Sequence, residues 1–114
     1  IDNNGKFIIE KWKKLAKKNN LSIEINGLPA TCSFTIKSNN FQKYKTLITQ
    51  EMLKKGFLAS NVIYSSTSHS KKILKKYLFE LDKIFNLIQK CENGLNINKL
   101  LQYPVSHDGF KRLN

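Results

Sequence analysis

Ser65, Ser66 and Ser68 stand just ahead of His69, a grouping with the residue types of a hydroxyl nucleophile and its base. Clustered Ser and Thr before a helical pattern more often make turns and caps, because short hydroxyl side chains bond nearby backbone groups. Cys32 and Cys91 lie far apart, form no CxxC and have no His at zinc spacing, so neither a disulfide framework nor a metal site is expected. The acidic residues are dispersed, which gives no carboxylate pair for acid–base work. The glycines are scattered, and GxGxxG, GxxxxGK and GxSxG are all missing. Of twenty basic residues, Arg112 is the single Arg. A lone Arg among lysines points to fork recognition of a carboxylate or phosphate, with an exposed tail residue as the plainer reading. A Schiff-base lysine needs dry surroundings that lower its pKa, and solvated Lys-Lys pairs offer none. On these residues the chain is incomplete as an enzyme.

The elements that position these groups follow from periodicity. Residues 4–19 place Ile8, Trp12, Leu15 and Ala16 on one helical face, and the lysines gather towards the C-terminal end, where the helix dipole favours cations. Residues 21–25 alternate as a strand, Asn26-Gly27 marks a turn, and residues 31–37 form a second strand with Cys32, Phe34 and Ile36 on one face. Ser38-Asn39-Asn40 offers an N-cap for a helix over residues 41–55, with Tyr44, Leu47, Ile48 and Met52 on one side and Gly56 at the C′ position. Residues 57–65 are β-prone. A hydroxyl-rich loop then leads to a helix over residues 71–91, capped by Ser70 or a neighbour, whose stripe is Leu74, Tyr77, Leu78, Leu81, Ile84, Phe85 and Ile88. The last twenty residues hold a short helical turn at 97–101 and few core-sized runs, so fraying is expected there.

The order α-β-β-α-β-α-tail, with two strands joined directly and a third reached by a crossover helix, predicts an α+β fold. Its form is a small three- to four-stranded sheet with helices packed on one face. The domain is assigned to residues 1–94 and its tail to 95–114.

At 114 residues the chain has the length of one domain, and 40% hydrophobic residues suffice for a core. No apolar run approaches a membrane span, and the start Ile1-Asp2-Asn3-Asn4 has no signal-peptide h-region. The missing initiator Met raises the expectation of a piece of a longer protein. A net charge of +12 suggests an anionic partner at first sight. Nineteen of the basic residues are Lys, however, and thirteen Asn beside abundant Ile have the look of an AT-rich coding bias. Base-edge readers favour Arg, so most of this charge reads as solvated surface and no specific nucleic acid is expected. The rival reading is a small basic nucleic-acid-binding α+β domain, with Trp12, Tyr44 and Phe41 as base-stacking aromatics.

The run Lys45-Thr46-Leu47-Ile48-Thr49-Gln50-Glu51-Met52-Leu53-Lys54-Lys55-Gly56-Phe57-Leu58-Ala59-Ser60 resembles the C-terminal domain of class III pyridoxal-phosphate-dependent aminotransferases, in the glutamate-1-semialdehyde aminotransferase-like branch. Tyr64-Ser65-Ser66-Thr67-Ser68-His69 and the stripe from Tyr77 to Ile88 match the family's "y.S..H" element and final long helix. Asn26-Gly27-Leu28-Pro29 followed by Phe34 resembles its hairpin, and Pro104-Val105-Ser106-His107-Asp108-Gly109-Phe110-Lys111-Arg112-Leu113-Asn114 resembles the tail of a subset of its members. The resemblance spans residues 5–114. It implies the small domain of a fold-type I enzyme whose large domain, elsewhere in the same chain, carries the Schiff-base lysine and the cofactor contacts. The domain alone is then expected to hold no pyridoxal phosphate and to supply pocket wall and closure. Asn61, Ser65, His69 and Arg112 are the implied substrate-side residues. Asn61 falls where the semialdehyde aminomutases carry a glutamate, which favours a plain aminotransferase. The resemblance further implies a cytoplasmic homodimer acting on a small amino and keto or aldehyde substrate, away from membranes.

Overall fold

A computed structural model describes residues 2–27, 31–57, 62–64 and 70–102. The elements run α1 (Asp2–Lys18), β1 (Ile23–Asn26), β2 (Thr31–Ile36), α2 (Phe41–Lys54), β3 (Val62–Tyr64), α3 (Ser70–Glu92) and a 3-10 turn (Ile97–Lys99). The fold is α+β, in the expected order.

The alternation of β2 organises the molecule. Cys32, Phe34 and Ile36 point to one face and are buried, while Ser33 and Thr35 point to the other and are half-buried. β2 is the central strand of a three-stranded sheet, antiparallel to β1 on one side and to β3 on the other. Pairing of Ile23 with Ile36 and Ile25 with Phe34 puts the apolar residues of β1 on the same face. The opposite face carries Glu24 and Asn26, whose amide donates to the Thr35 hydroxyl across the strands. A sheet with one apolar face needs one helical layer, and all three helices contribute to it. β3 runs against β2, so α2 links strands of opposite direction and does not complete a parallel crossover unit.

Phe34 sits where the layers meet. Its ring lies edge-on to Trp12 of α1 at 4.9 Å and to Phe85 of α3 at 5.5 Å. Edge-to-face pairs of this kind add about 1 kcal/mol each beyond area burial. Trp12 is fully buried, and its indole N–H donates to the Tyr77 hydroxyl, which joins α1 to α3 without leaving a buried donor unpaired.

Each helix ends in one way. The backbone turns left-handed at Asn20, Gly56 and Gly94. The residue after each, Leu21, Phe57 and Leu95, donates its N–H back to Ala16, Met52 and Lys90, a pattern that satisfies the last carbonyls of a helix. The helix starts refine the expected caps. Asn40 occupies the N-cap of α2 but makes no side-chain cap bond; the Ser38 hydroxyl accepts from the Asn40 N–H instead. Ser70 is the first residue of α3, and the neighbouring cap candidates lie outside the described residues.

The expected fraying after residue 94 does not hold over the next stretch. Ile97 is buried in the main core, and Leu100 and Leu101 pack against it. Residues 95–102 therefore belong to the same packed body as α2 and α3.

Candidate functional site

The four sequence-derived candidates, Asn61, Ser65, His69 and Arg112, all lie outside the described residues. What the structure gives is the frame around them. Asn61 immediately precedes β3 and Ser65 immediately follows it, and β3 is held in register by Val62 opposite Ser33, Ile63 opposite Cys32 and Tyr64 opposite Thr31. His69 directly precedes α3. Arg112 lies in the chain beyond Gln102.

The described residues form three polar clusters that the sequence did not single out. In the first, Lys18 Nζ lies 2.7 Å from one Asp82 oxygen, and the Asn19 amide donates to the other at 2.9 Å. Burial pushes the Asp82 carboxyl up, but these two donors outweigh it and hold the group below its ordinary value. In the second, the Tyr44 and Ser38 hydroxyls both donate to Glu92, tying the start of α2 to the end of α3. Burial, reinforced by the Glu92 carboxylate, pushes the Tyr44 phenol up to about 12. The third is Gln50, whose carboxamide bonds the backbone at Leu100 and Gln102. A signal for these was available in principle: Gln50 is a polar residue on the core side of an amphipathic helix. Its partner, fifty residues away, was not readable.

None of these clusters resembles a catalytic constellation. Among the described residues there is no group of three or more His, Cys, Asp or Glu able to hold a metal ion. Pyridoxal phosphate needs a lysine in dry surroundings. Of the lysines with described side chains, Lys11 and Lys43 are half-buried and the others exposed, so they do not fit that role. Both thiols, Cys32 and Cys91, are free and pushed up by burial, which leaves them poor nucleophiles. The stacking aromatics of the rival reading are also mostly committed elsewhere. Trp12 and Tyr44 are fully buried in the core, and Phe41 is the exposed member of the three.

The fold and its frame define a small two-layer α+β domain whose described residues contain no helix long and apolar enough to cross a membrane. Comparisons with protein-family models, with curated proteins and with solved structures give no match to this chain.

Proposed function

We propose that this chain is the C-terminal small domain of a class III pyridoxal-phosphate-dependent aminotransferase of the glutamate-1-semialdehyde aminotransferase-like kind. The observation that carries the reading is the ordered set of motifs, from the Asn26-Gly27 hairpin to the Arg112 tail, laid on an α-β-β-α-β-α domain with helices on one sheet face. The polar sheet face, with Glu24, Ser33 and Thr35, is the side such a domain turns towards a neighbour in the same chain.

In this reading the domain contributes surface and closure, and the large domain contributes the lysine and the cofactor. Asn61, Ser65, His69 and Arg112 line the substrate side. An uncharged Asn61 offers no carboxylate to a migrating amino group, which favours transfer between an amino acid and a separate keto or aldehyde acceptor. The working enzyme is a cytoplasmic homodimer.

The upstream reading frame tests this directly. It is expected to encode a large domain with a Schiff-base lysine motif, and an unrelated domain there would overturn the proposal. Chemistry gives a second test. Borohydride reduction of this chain with pyridoxal phosphate is expected to leave no lysine labelled stoichiometrically, whereas the longer chain should carry one label and interconvert amino and keto acids.

A further inference from the structure

The buried stripe of α3 has an outer counterpart. Lys72, Lys76, Phe79, Lys83, Asn86 and Lys90 follow one another at alternating steps of four and three, so they form a single row along the helix, and all are exposed. The row is about 27 Å long. It carries no acid, and the exposed Lys75 stands beside it. Each acid of α3 is already occupied. Glu80 is buried and pairs with Lys83, Asp82 is held by Lys18 and Asn19, and Glu92 accepts from Tyr44 and Ser38. Lys72, Lys75, Lys76 and Lys90 meet no carboxylate among the described residues.

Phe79 is the most exposed large apolar side chain among the described residues, at 62%. The Lys83 ammonium lies 4.8 Å from the centre of its ring. The same device recurs on α1, where the Lys11 ammonium lies 5.3 Å from the ring centre of Phe7, itself 45% exposed. Phe7, Lys11, Lys14 and Lys18 also form one row, and Lys18 reaches Asp82, so this row flanks α3. α1 and α3 run side by side in the same direction, because Trp12 bonds Tyr77 and Asn19 bonds Asp82 and Asn86. Two exposed rings, each beside a lysine, therefore share one basic face, with Glu10 at its border.

Such a face complements a polyanion. A bilayer surface would need apolar area to sink into the acyl boundary, but the apolar sides of both helices are buried in the core, which leaves little besides the rings. A base needs only one ring. Lysine holds phosphates and not base edges, and stacking on Phe tolerates any base. We propose that the outer face of α1 and α3 binds single-stranded nucleic acid without sequence preference, with Phe79 stacking on a base and the lysine rows holding phosphates on either side. This face uses none of the residues assigned to the aminotransferase pocket and does not depend on that reading.

Fluorescence anisotropy of a labelled oligo(dT) reads binding by the whole chain. Lys72→Gln, Lys75→Gln and Lys76→Gln together should weaken it at least about tenfold and flatten the slope of log affinity against log salt by about 2. Lys37→Gln, Lys45→Gln and Lys55→Gln together remove the same charge from exposed positions off this face, and should cost no more than about twofold. Phe79→Ala leaves the charge untouched. It should weaken oligo(dT) about tenfold, while a duplex of the same length, whose bases are already stacked, changes little. Phe79→Trp should keep the affinity, and its emission should be quenched by the bound strand. Equal losses from the two lysine triples would overturn the proposal, because net charge alone would then account for the binding. An oligo(dT) affinity indifferent to Phe79→Ala would overturn it too, as would Phe79-dependent binding to phosphatidylserine vesicles that oligo(dT) does not compete.

Discussion

Asp82 carries an opposition that is worked out within a single residue. Partial burial disfavours its charge, and Lys18 and Asn19 restore it with two donors. A carboxylate held low in the folded chain stabilises it above the ordinary Asp pKa, and that contribution is lost as the pH falls through the lower folded value. Lys18 is 65% exposed at its side chain, so solvent screens most of the attraction. Asp82→Asn is therefore expected to cost less than about 1 kcal/mol at neutral pH, with the difference from the parent fading below about pH 4. Urea unfolding at neutral and acid pH measures both values. A deficit that persists unchanged in acid would assign the loss to shape and not to charge. Trp12, Tyr44 and Gln50 teach a related point: residue type proposes several roles, and burial selects among them. The two aromatics are core, and the amide is a backbone partner.

At the scale of elements, the three helix ends account for much of the connectivity. A left-handed residue at each end reverses the chain, and after α1 and α2 the next side chain, Leu21 or Phe57, packs against the core, while Leu95 after α3 stays exposed. At Gly56 this residue has φ of +88°, and Cβ built there meets no atom within 4 Å. Gly56→Ala should consequently cost about 1 kcal/mol through backbone conformation alone, with no steric addition. Equilibrium unfolding should show a lower midpoint at an unchanged denaturant slope. A larger loss would indicate that Phe57, which packs edge-on against Tyr77, has been displaced. The helices, the hairpin and the turn residues were readable from period and punctuation, because those signals are local. The pairing of β3 with β2 was not, because which strand lies beside which is set by residues distant in sequence.

For the whole molecule the dominant quantity is charge. Ion pairs among the described residues are Lys18–Asp82, Lys54–Glu51 and Lys83–Glu80, against a net charge of +12. Repulsion among the remaining lysines should outweigh these pairs. Raising salt from about 0.01 M to about 0.3 M, which shortens the screening length from about 30 Å to under 10 Å, is expected to raise Tm. Thermal unfolding checks the sign, and a fall would mean that the ion pairs dominate. The same charge does little for the function proposed, which rests on motif order and on the shape of the domain.

The division between sequence and tertiary structure follows from the range of the interactions. Composition, the 3.6 and 2.0 periods and the glycine and asparagine stops determined the α+β class, the element order and most of the core by themselves. These depend on neighbours a few residues away. The frame of the candidate site was legible to the same extent, since Asn61, Ser65 and His69 adjoin elements that periodicity had located. Only the tertiary structure decided that β3 lies antiparallel beside β2, that Trp12 and Tyr44 are withdrawn from the surface, and that Gln50 holds the chain at residues 100–102. Each of those joins groups that are distant in sequence. Which distant partner a buried polar group will meet is set by how the layers pack, and no local pattern encodes it.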